Sequence, residues 1–179
     1  SLTSIGGTLI IGASDPVGAQ NSTLTSLTGL ENLTSIGQSL VMNCNYSLPN
    51  FIGLENLISI GGSISIGAPS PYLNDSLTSL AELDNIDAGT ISDLTIYNNP
   101  NLSICVVKSI CDYLAAPNGT IEIYNNAPGC NSPEEVDSIC MSVSVPEMDI
   151  AENKFTVSPN PCSSTLQIRF TINDCRLTI

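Results

Sequence analysis

The feature that most constrains the fold is an internal repeat. The stretch LTGLENLTSIGQSLVM begins at Leu27, and the similar stretch FIGLENLISIGGSISI begins 24 residues later at Phe51. Looser copies begin at Ser1 and at Leu80. A chain that repeats at this period folds by stacking one unit on the next, because a single unit cannot bury its own apolar face. The repeat therefore predicts a stacked architecture over residues 1–104.

The spacing of apolar residues within a repeat indicates what each unit looks like. In the second copy they recur at every third position and then alternate, at Leu24, Leu27, Leu30, Leu33, Ile36, Leu40 and Met42. Neither an α-helix nor a β-hairpin has this spacing. A period of three, closed by Gly and a short alternating segment, predicts a chain that turns corners and adds one strand to a parallel sheet per repeat. We therefore expect a mainly β fold, a right-handed parallel β-solenoid.

Asparagines follow three of the strand segments at a constant offset. Asn45, Asn99 and Asn126 each stand three positions after the last apolar residue of a segment, whereas Pro69 holds this place in the third copy. An Asn side chain there can bind backbone groups that the bend leaves open, which predicts a ladder of stacked asparagines. The alternative is that these residues only favour turns.

The pattern L-x-x-L-x-x-L-x-x-I-G-x-S-L, which starts at Leu27, resembles the receptor L-domain group of leucine-rich-repeat-like solenoids. The resemblance covers Ser1 to about Leu102. It implies a role in recognising ligands or surfaces, although it assigns no binding residue.

Residues 105–140 predict a small α+β cap for the last repeat. Apolar residues at helical spacing from Ile104 to Leu114 predict a helix, and the residues Pro-Asn-Gly at 117–119 end it. Alternation over 121–124 predicts one more strand. The order Ser-Pro-Glu-Glu from Ser132 predicts a second helix that runs to about Cys140.

Seven cysteines indicate an oxidising compartment, with metal binding as the competing explanation. The chain has no histidine and no C-x-x-C pair, so disulfides are favoured over zinc. The four cysteines of the cap allow three pairings, of which we favour the crossing one, Cys105 with Cys130 and Cys111 with Cys140. Cys44 is expected to be a small buried or turn residue.

The charge balance excludes several classes of function. The net charge is −13, with four basic residues, which argues against nucleic acid and against an anionic membrane as partners. No apolar stretch is long enough to cross a bilayer, so we expect no membrane insertion. The absence of histidine removes the commonest general base, so we expect no enzyme activity and no cofactor. Asp84, Asp87 and Asp93 do not have the spacing of a calcium loop, and the equivalent Glu31 and Glu55 lack a general-acid partner. We expect all five to be surface carboxylates, and no metal site.

Residues 141–154 have the composition of a linker. Residues 155–179 alternate around a Pro-Asn-Pro turn and look like the opening strands of the C-terminal sorting domain of the bacterial type IX secretion system. That resemblance implies a truncated sorting domain, contact with the secretion machinery, and a bacterial protein that is secreted or displayed on the outer surface. The alternative is the start of another β-sandwich.

Two repeats carry longer excursions after the strand, at 12–22 and 67–76, and the repeat between them has only a short corner at 43–46. We expect both excursions to leave from one edge and to form a binding site there. Its side chains would be Asp15, Tyr46, Tyr72 and Asp75, facing a glycan or a polar protein surface. The alternatives are tolerated insertions without a ligand, and binding on the exposed strand positions Val41, Ser65 and Thr95.

The sequence thus favours a non-enzymatic recognition or adhesion module at the cell surface or outside the cell. A structural spacer, or the non-catalytic region of a larger secreted enzyme, remain as alternatives. Six N-x-S/T sequons occur, at Asn21, Asn32, Asn45, Asn74, Asn101 and Asn118, and we interpret most of them as by-products of a composition rich in Asn, Ser and Thr.

Overall fold

The structure, a computed structural model, describes residues 2–12, 21–69 and 73–143. Every described residue belongs to one compact unit, Ser1–Val145. The predicted linker and sorting domain therefore lie outside the described residues, apart from 141–143.

The repeats contribute strands to two parallel sheets. The larger sheet has the order β2-β4-β6-β7-β8, and the smaller one has the order β1-β3-β5. The strands are β1 (Ser4–Ile5), β2 (Leu9–Ile11), β3 (Ser35–Ile36), β4 (Leu40–Met42), β5 (Ser59–Ile60), β6 (Ile64–Ile66), β7 (Leu94–Tyr97) and β8 (Ile121–Tyr124). The prediction of one strand per repeat in a parallel sheet is confirmed by the larger sheet. The smaller sheet, built from the Ser-Ile pairs before the glycines, was not predicted.

The register of the larger sheet stacks equivalent residues of successive repeats. Leu40 pairs with Ile64, and Ile64 pairs with Leu94. All three side chains are fully buried in one apolar core that continues into the cap, residues 105–140. Burial of each such side chain is worth roughly 1.5–3 kcal/mol, so the inner positions of the strands hold the repeats together.

Helices are few but sufficient to make the fold mixed α and β rather than mainly β. The α-helices are α1 (Lys108–Ala115) and α2 (Pro133–Val143), and two short 3-10 helices span Ala81–Leu83 and Ala88–Thr90. The second 3-10 helix also ends the smaller sheet. The hydroxyl of Thr90 accepts a hydrogen bond from the N–H of Ile60 at 3.1 Å, in the place of a further strand.

Helix α1 begins later than the apolar spacing predicted. Ile104 lies outside it, is 52 % exposed and forms a parallel bridge with Ser79. Val107 is extended, and the first helical N–H, that of Lys108, donates to the carboxylate of Asp84 at 2.7 Å. The prediction was wrong here because a carboxylate from the fourth repeat sets the start of the helix, which local spacing cannot indicate.

Helix α2 begins where the sequence predicted and ends three residues later than expected. The hydroxyl of Ser132 accepts from the N–H of Glu135 at 3.2 Å, as in a capping box. The carboxylate of Glu135 turns away instead and accepts from the N–H groups of Gly129 and Asn131, at 2.7 and 2.8 Å. Glu135 thereby ties the loop before the helix to its first turn.

Two disulfides connect residues within the cap, 105–140. They are Cys105–Cys130 and Cys111–Cys140, the crossing pairing that the sequence favoured. Cys44 takes part in neither and is buried, as predicted. The two bonds indicate an oxidising environment for the folded protein. No helix among the described residues is both long and apolar enough to span a membrane.

A ladder of five asparagines runs through the corner that follows the larger sheet. Side-chain amides connect Asn21 to Asn45 and Asn74 to Asn99 at 2.9 Å, and Asn99 to Asn126 at 3.0 Å. The N–H of Asn45 donates to the side-chain oxygen of Asn74, which closes the series. The predicted ladder is confirmed, and it gains two members, Asn21 and Asn74, each of which stands where the chain returns after an excursion.

The ladder also fixes adjacent repeats to each other. The amide nitrogen of each member after the first donates to the backbone carbonyl at the end of the preceding repeat's strand, at 2.9 Å for Asn45 to Ile11 and 3.1 Å for Asn74 to Met42. Asn45, Asn74 and Asn99 are at most 2 % exposed. The ladder thus satisfies the buried N–H groups of Asn45 and Asn99, which donate to the side-chain oxygens of Asn74 and Asn126, and it gives the strand-end carbonyls a second hydrogen bond.

Hydrogen bonds between repeats explain two of the six sequons. The residue two positions after a ladder asparagine bonds to the preceding repeat, as when Ser47 donates to the Ser22 carbonyl and Ser76 to the Tyr46 carbonyl. The N-x-S spacing is therefore a consequence of stacking at Asn45 and Asn74, whose amides are buried in the ladder.

Gly67 allows a close approach between the third and fourth repeats. Its φ is +123°, and a Cβ there would lie 1.8 Å from the carbonyl oxygen of Tyr97. We expect Gly67→Ala to lower the free energy of unfolding by about 3 kcal/mol or more, because strain and a backbone clash add. Gly29→Ala is the matched control, since Gly29 has a φ of +109° and open space around it. Urea unfolding measures both, and equal losses would show that the close approach is unimportant.

Candidate functional site

The structure places only part of the binding edge predicted from the excursions. Asp15 and Tyr72 lie outside the described residues. Tyr46 and Asp75 occupy equivalent positions in adjacent repeats, each directly after a ladder asparagine. Their carbonyls accept from Ser76 and Asn101 at 2.6 and 2.7 Å, so this corner is held by its backbone. The side chain of Asp75 is exposed, and Tyr46 is half-buried.

The described roots of both excursions flank the short corner of the second repeat. A Cβ on Gly12 would lie 1.6 Å from the Asn43 carbonyl, and the N–H of Gly67 donates to the Met42 carbonyl at 2.9 Å. The excursions thus leave from the same position of their repeats, immediately after β2 and β6. They rejoin the fold at equivalent members of the ladder, Asn21 and Asn74.

The larger sheet presents an outer face opposite the core. One row of that face, paired in register, consists of Ile10, Val41, Ser65, Thr95 and Glu122. Along this row, exposure is high at Ile10 and Glu122 and partial between them. The three strand positions named from the sequence as a second possible site, Val41, Ser65 and Thr95, therefore lie side by side on one face.

A second outer row contains two stacked tyrosines. Tyr97 and Tyr124 pair across β7 and β8, and their ring centroids lie 5.0 Å apart with 24° between the ring planes. Tyr124 is 41 % exposed, on the edge strand of the sheet. Burial is the main cause that raises the pKa of Tyr97, and the nearby Tyr124 and Glu122 add to it. We call Thr95, Tyr97, Glu122 and Tyr124 the tyrosine surface.

The backbone around the tyrosine surface is rigidly set. Asn98 and Asn125 follow the two tyrosines with φ of 57° and 53°, the left-handed conformation that Asn tolerates. The amide of Asn125 donates to the side-chain oxygen of Asn98 at 3.1 Å, and Asn98 donates to the Ala68 carbonyl at 2.9 Å. These bonds link the ends of β7 and β8 to the root of the second excursion, so the ring positions depend on ordered neighbours.

Most carboxylates of the repeats have structural partners, including those considered as calcium or catalytic groups. Glu31 and Glu55 each accept from the glycine N–H two residues earlier, at 2.8 and 2.9 Å. Asp87 accepts from the N–H of Gly89 and so caps a 3-10 helix. Asp93 accepts from the N–H and hydroxyl of Thr120 at 2.9 and 2.8 Å. Each therefore has a role in holding a turn.

The electrostatics agree with that role. The N–H of Gly29 is the main cause that lowers the pKa of Glu31. Hydrogen bonds from the backbone and then the side chain of Thr120, followed by that of Ser63, lower the pKa of Asp93. Both groups therefore stay ionised at neutral pH, which suits a hydrogen-bond acceptor and not a general acid.

A cleft of about 760 Å³ lies beside helices α1 and α2. Its lining includes Val106, Leu114 and Met141 together with Asp112 and Asp137. Lys108 forms an ion pair with Asp112 at its margin. The lining offers carboxylates and apolar carbons but no nucleophile paired with a base, and no group of three metal-binding side chains occurs within residues 2–12, 21–69 and 73–143.

Tyr97, Tyr124 and Glu122 were not among the candidates from the sequence. A signal for the tyrosines was present, because each directly follows the last inward residue of its strand, Ile96 or Ile123. Two aromatic residues at the same position of successive repeats must stack on the surface.

Comparisons of the chain with family models, with curated proteins and with solved structures gave no match.

Proposed function

We propose that this protein is a non-enzymatic recognition or adhesion module that binds its ligand through the tyrosine surface. The observation that carries the proposal is the stacked Tyr97–Tyr124 pair on the outer face of an ordered sheet. An aromatic side chain kept 41 % exposed at a sheet edge contributes little to the core, and it offers a ligand a large apolar area with few torsions to freeze.

The ligand class is a glycan or a polar protein surface. Tyrosine faces stack on sugar rings and on planar or cationic side chains, while the hydroxyls of Thr95 and the two tyrosines, and the carboxylate of Glu122, supply hydrogen bonds. A rigid sheet limits the entropy lost on binding. The corner with Tyr46 and Asp75 lies past the ladder and forms a second, separate candidate surface.

The setting of this module is also proposed. The in-register parallel strands support a right-handed β-solenoid of leucine-rich-repeat type, with 105–140 as its cap. The two disulfides support an oxidising location, and the residues from Phe155 to Pro161, which are similar to a sorting domain, support export by type IX secretion to the bacterial surface or medium. In this proposal the tail contacts the secretion machinery, and the repeats contact the ligand.

The test is a binding screen of the intact chain on an array of glycans and extracellular proteins. We expect the double variant Tyr97→Ala/Tyr124→Ala to lose at least tenfold in affinity, since two aromatic contacts of about 1 kcal/mol each are removed. The matched control is Tyr46→Ala/Asp75→Ala, which alters the corner predicted from the sequence and should keep binding. Retained binding in the tyrosine variant with loss in the control would move the site to that corner, and no ligand at all would favour the spacer.

A further inference from the structure

The charges of the described residues are strongly one-sided. Residues 2–12, 21–69 and 73–143 contain twelve acidic side chains and a single basic one, Lys108. Lys108 is already paired with Asp112. A surface of this kind attracts cationic partners and repels anionic ones over several ångströms.

Glu122 differs from most of these carboxylates because it does not hold a turn or a helix end. Its side chain is exposed on β8 and makes no hydrogen bond or ion pair with any described residue. The turn-forming carboxylates of Glu31, Glu55 and Asp93, in contrast, each accept a backbone N–H. Glu122 is also close enough to Tyr97 to influence its ring hydroxyl.

We infer that the tyrosine surface binds an arginine side chain of a partner protein, with the guanidinium stacked on Tyr124 and hydrogen-bonded to the carboxylate of Glu122. This inference rests on the proposed function and names its ligand. It deepens that function because it commits to a basic protein partner rather than a glycan.

The geometry favours arginine for three reasons. The ring of Tyr124 stacks on Tyr97, and Tyr124, on the edge strand of the sheet, is 41 % exposed, so part of it is accessible to a planar group. A guanidinium is planar, stacks on aromatic rings and donates in a fork that fits a carboxylate, whereas an ammonium is attracted to a ring face or a carboxylate only as a point charge. A neutral sugar would stack equally but would gain nothing from the negative charge of the surface.

The experiment is an NMR titration of the intact, oxidised chain with three probes. They are the peptide acetyl-Gly-Arg-Gly-amide, the same peptide with citrulline in place of arginine, and maltotriose as a neutral sugar. We expect the arginine peptide to shift the signals of Tyr97, Glu122 and Tyr124, with at least fivefold weaker binding of the citrulline peptide, and the shifts should diminish as salt is added.

Two variants make the result specific. Glu122→Gln should lower the affinity for the arginine peptide about fivefold, as expected for an exposed charge-assisted contact, and Tyr124→Ala should lower that affinity at least as much. Asp137→Asn is the matched control, because it removes one negative charge from α2 and leaves the tyrosine surface intact. Equal losses for Glu122→Gln and Asp137→Asn would show diffuse attraction and overturn the inference.

The two proposals fail in different ways. Shifts at the tyrosines with maltotriose that Glu122→Gln does not alter would overturn the arginine assignment and leave the recognition function standing. Absence of any shift with the arginine peptide would also overturn the assignment, while the array screen decides the recognition function by itself.

Discussion

Reduction of both disulfides is expected to be among the most damaging changes to this fold. Each bond closes a loop of 25 or 29 residues, for which chain entropy gives about 3–4 kcal/mol, although the two loops overlap and their effects will not fully add. The cap covers the apolar end of the fourth repeat, where Leu94, Ile96 and Leu102 are fully buried. Unfolding of this cap would expose the core, so thermal melting in reductant should show a fall in Tm of at least 10 °C.

The two bonds should not be reduced together. Cys105 and Cys130 are fully buried, whereas Cys111 and Cys140 line the cleft beside the two helices and Cys111 is partly exposed. Limited reduction followed by alkylation and mass spectrometry should therefore label Cys111 and Cys140 first. The oxidised Cys44→Ser variant is the control and should melt close to the parent. An unchanged melting curve after complete reduction would mean that the cap depends on packing alone.

Replacing one buried ladder asparagine should destabilise the protein as strongly as loss of a disulfide. In Asn99→Leu the amide of Asn74 loses its acceptor, and the carbonyl of Ile66 and the side-chain oxygen of Asn126 lose donors. Each lost buried hydrogen bond costs about 1–1.5 kcal/mol, so we expect a loss of roughly 3–4 kcal/mol in the free energy of unfolding. Urea unfolding followed by circular dichroism measures it.

A second row of asparagines provides the matched control. Asn85 donates one exposed hydrogen bond, to the Glu55 carbonyl at 2.8 Å, and Asn56 does the same to Glu31. Asn85→Leu makes the same chemical change at a surface position and should cost less than about 1 kcal/mol. Similar losses of unfolding free energy for both variants would show that the buried ladder contributes no more to stability than the exposed asparagines do.

The sequence predicted the larger sheet and three members of the ladder because each depends on a local, repeated spacing. The disulfide pairing had no such spacing behind it and was favoured among three possibilities because it ties each end of the first helix to the segment after the strand. The offset of three from Met42 to Asn45 recurs wherever no excursion intervenes. It fails in the third repeat, since the chain leaves at Gly67 and returns only at Asn74. The place of Asn74 was hidden because an insertion changes the spacing along the chain and leaves the position in space unchanged.

Other features depended on contacts between distant residues. The start of α1 is set by Asp84, 24 residues earlier, and the small sheet ends because a Thr90 hydroxyl takes the place of a strand. The tyrosine surface combines β7, which belongs to the fourth repeat, with β8, which belongs to the predicted cap. Neither part of the sequence alone indicated that surface. Of the four residues first expected to bind, Tyr46 and Asp75 lie at one corner, and Asp15 and Tyr72 lie outside the described residues.

Contact between the tyrosine surface and the ligand can be tested on the intact chain. Hydrogen–deuterium exchange of the intact chain, with and without the strongest ligand from the array, tests it most directly. We expect slower exchange in peptides that contain β7 and β8, together with 98 and 125, and no change in α1 or α2. Protection confined to the helices, or to the corner at 43–46 and 73–76, would contradict it.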